Sequence, residues 1–176
     1  MNSFVVANPN KCIGCKACEI ACAVAHLSVT VATAGGLKTA FQPRLNLIRN
    51  SKVTMPVQCR HCEDAPCANV CPVKAIQNQD GKIIIDEGKC IGCKTCMIAC
   101  PFGAMSMVES EDERQKRLKD EDGMSKAKVV AHKCDLCIGR EKGPACVEIC
   151  PAEALIFVQP EKIEESVKDK RLACLN

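Results

Sequence analysis

Hydrophobic residues in this chain come in short runs broken by turn formers, a pattern of small strands rather than long helices. Phe4 to Ala7 is one such run, and Ala154 to Val158 is another near the far end. The two are expected to pair, which closes the molecule by bringing its first strand beside one of its last. Ile83 to Asp86 follows a turn at Asn78-Gln79-Asp80-Gly81 and pairs in this reading with Lys74 to Gln77. Arg44 to Arg49 and Val53 to Val57 form a second hairpin, after a surface excursion from His26 to Pro43 centred on Gly35-Gly36. One segment reads as a longer helix. It begins at Pro160, carries early glutamates and runs to Leu175, with Ile163, Val167 and Cys174 near one face. Packing of this stripe against its own domain or against another subunit remains open, and Cys174 is expected as a buried small apolar residue. Short strands and helices mixed in this way define an α+β class.

The positions between these runs carry the chemistry. Sixteen of the 17 cysteines fall into four quartets, in each of which the fourth cysteine follows the third by four residues. They are Cys12, Cys15, Cys18, Cys22; Cys59, Cys62, Cys67, Cys71; Cys90, Cys93, Cys96, Cys100; and Cys134, Cys137, Cys146, Cys150. This is the spacing that holds cubane iron-sulfur clusters. Proline follows the fourth cysteine at Pro72, Pro101 and Pro151, where a fixed φ and a missing amide donor redirect the chain; the first quartet has Ala23 instead. The extra residues of quartets two and four lie between the second and third cysteines, where a loop lengthens without moving the ligands on either side.

Lys89-Cys90-Ile91-Gly92-Cys93-Lys94 repeats Lys11-Cys12-Ile13-Gly14-Cys15-Lys16 residue for residue, which points to duplicated two-cluster units. The outer strands imply nesting. Residues 1–50 and 128–158 form an outer unit and 51–108 an inner one, with a charged insertion at 109–127 and a C-terminal helix at 160–176. In two-cluster ferredoxins the fourth cysteine serves the other cluster of its unit. The ligand sets are therefore expected to be Cys12, Cys15, Cys18, Cys150; Cys134, Cys137, Cys146, Cys22; Cys59, Cys62, Cys67, Cys100; and Cys90, Cys93, Cys96, Cys71. Gly14 and Gly92 let backbone amides come close to the clusters.

Composition narrows the alternatives. Neither Trp nor Tyr is present and there are only four Phe, so aromatic rings do not build the core. A disulfide-stapled secreted domain needs an oxidising compartment. The N-terminus shows no signal-peptide pattern and no apolar run reaches membrane-spanning length, so a cytoplasmic protein with reduced thiols is expected. Zinc sites also use paired C-x2-C units, but not with a third and fourth cysteine at these offsets and a proline after the last. The net charge of +3 counts cysteines as neutral. Four oxidised clusters, each about −2 with its thiolates, turn it into roughly −5 and make the lysine excess a compensation for cluster charge. Without a basic block or stacking aromatics, nucleic-acid binding is not expected. Residues 109–128 hold seven acidic and six basic side chains and read as a solvated insertion rather than a docking loop. His26, His61 and His132 lie near ligand cysteines, but every quartet is complete, so they are expected to hydrogen-bond around the sites or to lie exposed. No nucleophile-base pair, phosphate loop or dinucleotide fingerprint appears, so the chain is expected to be non-catalytic.

The widened second motif, Cys59-Arg60-His61-Cys62-Glu63-Asp64-Ala65-Pro66-Cys67, and Lys133-Cys134-Asp135-Leu136-Cys137 give the chain its resemblance to a known family. It resembles the four-cluster ferredoxin subunits of the DMSO reductase type, and within them the HydN-like and HycB-like proteins, over about residues 1 to 158. That resemblance implies four 4Fe-4S clusters and electron transfer between a molybdenum or tungsten formate dehydrogenase and a hydrogenase or other redox partner, as in hydrogen-dependent carbon dioxide reductases. It implies the catalytic subunits as partners, together with a related ferredoxin subunit, in a soluble complex. A tail helix packed on a sister subunit would allow homo-assembly. A formate dehydrogenase maturation factor and a free polyferredoxin are the alternative roles.

Overall fold

The computed structural model describes residues 1–27, 33, 41–110 and 128–174. Most of the His26 to Pro43 excursion, nearly all of the 109–127 insertion and Leu175 lie outside the described residues. Among the described residues, eight strands pair into four two-stranded antiparallel sheets. β1 (Phe4–Ala7) pairs with β8 (Leu155–Val158), with Phe4 opposite Val158. β2 (Leu45–Arg49) pairs with β3 (Thr54–Gln58), β4 (Ile76–Gln79) with β5 (Lys82–Ile85), and β6 (Ser106–Glu109) with β7 (Val129–His132). The first and last strands of the sheet set are therefore partners, while β4 and β5 form a tight hairpin midway.

That hairpin is longer than the expected turn at 78–81 allows. Asn78 and Gln79 stay in β4, and the reversal uses Asp80 and Gly81 alone, at φ 49° and 72°. Two successive positive φ values make the two-residue connection that matches strand twist, and Asp-Gly suits it. The pairing sets Ile76 opposite Ile85, one residue from the register in which Lys74 to Gln77 would meet Ile83 to Asp86. β6 was not anticipated. It brings β7 back against the 51–108 segment, and the 50/51 boundary falls in the β2–β3 hairpin.

Among the described residues four helices lie between strands, α1 (Ala17–Ala25), α2 (Pro66–Asn69), α3 (Thr95–Ala99) and α4 (Ala145–Glu148), and α5 (Pro160–Ala173) follows the last strand. The residue after the fourth cysteine distinguishes α3 from α1. Before Pro101, Cys100 leaves the helix at φ −76°, ψ 112°, the extended region that proline imposes on its predecessor. With Ala23 in that place, α1 runs on past Cys22 for nine residues in all.

Two cores form, each built from small aliphatics and thiols. Val5, Leu45, Leu136 and Leu155 pack with Cys18, Cys22, Cys134 and Cys146; Ile76, Ile83, Met105 and Val130 pack with Cys67, Cys90 and Cys96. Buried Asn2 links the chain start to the second motif by donating its amide to the carbonyls of His61 at 2.9 Å and Cys62 at 3.3 Å. The tail helix departs from expectation. Ile163 is half-buried, whereas Val167, Leu172 and Cys174 are exposed, so Cys174 is not a core residue and the apolar stripe is largely uncovered within one chain. No helix among the described residues is long and apolar enough to cross a membrane.

Candidate metal centres

Each quartet begins on a loop and ends on or just beyond a short helix, and packing of the helices exchanges the fourth cysteines. α1 carries Cys18 and Cys22 and packs on α4, which precedes Cys150; α2 and α3 pack in the same way around Cys67, Cys71, Cys96 and Cys100. The consequence is three cavities lined by mixed thiols. Cys12, Cys15, Cys18 and Cys150 line site I. Cys59, Cys62, Cys67 and Cys100 line site II together with Arg60 and Lys133. Cys71, Cys90, Cys93 and Cys96 line site III. Cys134, Cys22, Cys137 and, least, Cys18 lie close enough to Cys146 for their charges to act on its thiol, and Cys22, Cys134, Cys137 and Cys146 are grouped as site IV.

Electrostatic neighbours give the order of the sites. Cys146 feels Cys18 of site I, Cys134 feels Cys59 of site II, and α2 and α3 span from II to III. The sites run I, IV, II, III. Of the sixteen thiols only Cys15 and Cys93 are exposed, one at each end of this series.

One backbone turn underlies all four. The residue just before the second cysteine has positive φ in every quartet: Gly14 at 72°, His61 at 47°, Gly92 at 68° and Leu136 at 61°. At the ends there is no room for a side chain. A Cβ on Gly14 would lie 2.9 Å from the Thr54 methyl, and one on Gly92 only 2.5 Å from the Val129 carbonyl oxygen. In the middle, His61 and Leu136 are both buried and fill the core, and packing offsets the cost of the left-handed conformation. His61 Nδ1 accepts the Ile83 N–H at 2.9 Å. Burial, with Lys133 adding repulsion, lowers its pKa to about 3 and keeps the ring neutral. His61 and His132 are thus buried rather than exposed.

Backbone amides point at the sulfurs. His61 and Leu136 donate to Cys59 and Cys134 Sγ, both at 3.4 Å, and Ala75 and Ala154 donate to Cys71 and Cys150 Sγ, both at 3.3 Å. Arg44 N–H reaches Cys22 Sγ at 3.2 Å and Ala131 N–H reaches Cys90 Sγ at 3.4 Å. Such bonds favour the thiolate and tune a bound metal. Burial works the other way in the metal-free chain. It pushes the Cys18 and Cys67 thiols up to about 11 and Cys134 to about 12, and Cys146 higher still. Exposed Cys93 is instead lowered, by a hydrogen bond from the Thr95 hydroxyl at 3.4 Å.

Charges between the cysteines were not assigned from the sequence. Asp135 accepts from Arg44 at 3.1 Å and meets His26 Nε2 at 2.9 Å, while His26 Nδ1 lies 4.0 Å from Cys22 Sγ. Although burial opposes charging, these contacts raise His26 to about 9 and hold Asp135 well below the usual carboxylate range. His26, Asp135 and Cys137 lie within 4.8 Å of one another, and the ion pair accounts for that grouping. Lys133 is the other charge. The only sequence signal for either was their place beside Cys134.

Three thiol-lined cavities and a fourth cluster of thiols, with amides aimed at sulfur, suit soft iron rather than hard cations, and they define an iron-sulfur protein of the ferredoxin class. The chain belongs to the 4Fe-4S dicluster domain family, which matches residues 51–160 and again residues 11–75. It is 44% identical over 171 residues to the electron transport protein HydN of Escherichia coli strain K12, covering 97% of this chain and 96% of that one. Hydrogenase-4 component A of the same strain is 39% identical over 191 residues, covering 97% of this chain and 89% of its own length. AegA, which bears the name of an oxidoreductase in that strain, is 45% identical over 172 residues, 98% of this chain; the chain spans only 24% of AegA's length. The protein is a HydN-like electron-transfer iron-sulfur protein with four 4Fe-4S clusters.

Proposed function

We infer that the chain is the electron-transfer subunit of a cytoplasmic complex, relaying electrons between a molybdenum or tungsten formate dehydrogenase and a hydrogenase or another redox partner. The sixteen cysteines hold the clusters in the four mixed sets that line sites I to IV, an arrangement of two nested, duplicated two-cluster units. When bound, the clusters supply one-electron steps. The protein holds them in series, keeps water from the middle and leaves an edge open at each end. The observation that carries this reading is the ordering of four thiol sites with only Cys15 and Cys93 exposed, because a relay needs two accessible ends and an insulated centre. Gathering of each fourth cysteine with three from another quartet supports the ligand sets. Similarity to a hydrogenase component supports a hydrogenase as partner, and recurrence of the segment within the longer AegA supports work in contact with an enzyme.

Around each open end stand exposed Ile13 or Ile91 and the lysines of the repeated loop, which offer a partner an apolar centre in a basic rim. The exposed α5 is the surface for a related ferredoxin subunit or a second copy. Anaerobic isolation of the protein from its own host tests the reading. A complex of fixed stoichiometry with a formate dehydrogenase and a hydrogenase is expected. Recovery alone, or with shifting substoichiometric partners, would instead make it a free carrier or a maturation factor. Deleting residues 160–176 should disrupt assembly; unchanged assemblies would remove α5 from the proposal.

A further inference from the structure

Lys133 is only 3% exposed, although its terminal group is an ammonium. Nζ donates to the Ile83 carbonyl and, at 2.8 Å, to the Cys134 carbonyl, and no described carboxylate forms an ion pair with it. A buried cation held by carbonyls alone is expensive unless negative charge lies near. The negative charge within reach is site II, whose cavity Lys133 lines. Half-buried Arg60 adds positive charge, lining the same cavity with its guanidinium 5.9 Å from the Phe4 ring centre and 6.0 Å from that of Phe102.

Among the described residues, no lysine or arginine at the other sites is as deeply buried. The lysines lining sites I and III, Lys16 and Lys94, are exposed, where water and salt screen them. At site IV Arg44 and charged His26 share one carboxylate, Asp135, and are 23% and 15% exposed, so the positive charge left there is closer to water than Lys133 and is partly neutralised.

We propose that Lys133 is a positioning residue for charge, a fixed buried cation that makes site II the member of the series that most readily accepts an electron. Uptake of one electron from a partner makes a site one unit more negative, and a cation in the low-dielectric interior stabilises that state more than the oxidised one. Site II lies inside the series, between IV and III. An electron entering at either end therefore settles in the middle, and the chain stores one electron between encounters with its partners. This inference rests on the four ligand sets proposed above.

The test is an anaerobic redox titration of the full-length, cluster-loaded protein followed by electron paramagnetic resonance, on wild type, Lys133→Met and Lys133→Arg. Iron and sulfide content of the wild type tests the four-cluster reading separately. One reduction wave of the wild type should lie above the rest and be the wave altered by Cys67→Ser. In Lys133→Met that wave alone should fall by at least tenfold in its one-electron equilibrium, about 59 mV. Lys133→Arg, which keeps the charge, should retain the wild-type wave. The proposal is overturned if no wave moves, if all four move together, or if the arginine variant falls as far as the methionine variant. Should Lys133→Met load poorly, the arginine variant decides: full iron with the wild-type wave supports the proposal, and a lowered wave refutes it.

Discussion

The ends and the middle of this molecule use the same cysteine turn for opposite purposes. At the ends, Cys-Ile-Gly-Cys puts glycine at the positive-φ position, buries nothing there and leaves Ile13 and Ile91 in water, 70% and 62% exposed. In the middle, Cys-Arg-His-Cys and Cys-Asp-Leu-Cys put His61 and Leu136 at that position and bury them among the thiols. One residue per loop thus decides whether the turn presents bare backbone or packs a side chain into the core beside its site. The lesson is that insulation is encoded within the motif, and not only in the sequence around it.

The largest expected contrast comes from removing one ligand in each region. Cys134→Ser should cost about 4 kcal/mol or more, because it leaves a vacant ligand position in the larger core; Cys93→Ser should cost less than about 2 kcal/mol and leave the other sites loaded. Iron content and thermal unfolding of the two variants measure this. Equal losses would erase the distinction between ends and middle.

Next comes the turn residue itself. Gly92→Ala should destabilise by about 2–4 kcal/mol, since it combines a left-handed conformation with a backbone clash, and Gly14→Ala by about 1–2 kcal/mol, since only a methyl has to move. Leu136→Ala should cost about 2–4 kcal/mol for the opposite reason, loss of a buried side chain. Denaturant unfolding of the loaded proteins gives all three values.

Acidity sharpens the contrast further. Cluster binding needs thiolates, and burial raises the metal-free thiols of Cys67 and Cys134 to about 11 and about 12, so loading releases protons and weakens as pH falls. In the metal-free chain Cys93, whose thiol is lowered, should be alkylated before any buried cysteine, and Thr95→Val should slow it. Mass spectrometry after brief iodoacetamide treatment reads the order.

The smallest effect belongs to His26. Its pKa is raised from 6.5 to about 9, so its pairing with Asp135 contributes fully below the unfolded value and is lost as pH rises through the folded one. Stability should fall by about 1–2 kcal/mol across that window, and Asp135→Asn should flatten the dependence in pH-resolved thermal unfolding.

Much of this arrangement was legible in the sequence because cysteine spacing is a covalent constraint that tertiary structure cannot override. The quartets, the pairing of Phe4–Ala7 with Leu155–Val158 and the repeated Lys-Cys-Ile-Gly-Cys-Lys loop all follow from spacing or pattern. The hairpin register did not, since Asn78 and Gln79 look like turn residues yet stay in β4, where the Asp80-Gly81 turn alone reverses the chain. Nor did the left-handed His61 and Leu136, because only packing holds such residues there. Lys133 and Asp135 were visible as charges, but their burial depends on which strands cover them. The helical face suggests Cys174 as core, but nothing among the described residues covers it.

The central claim is that the buried sites conduct between two exposed ends. Electron transfer between formate dehydrogenase and hydrogenase, measured with the wild-type chain and with Cys134→Ser, tests it most directly. The account predicts that the variant abolishes transfer while each enzyme keeps its own dye-linked activity. Transfer at the wild-type rate through a chain lacking the site IV cluster would contradict it.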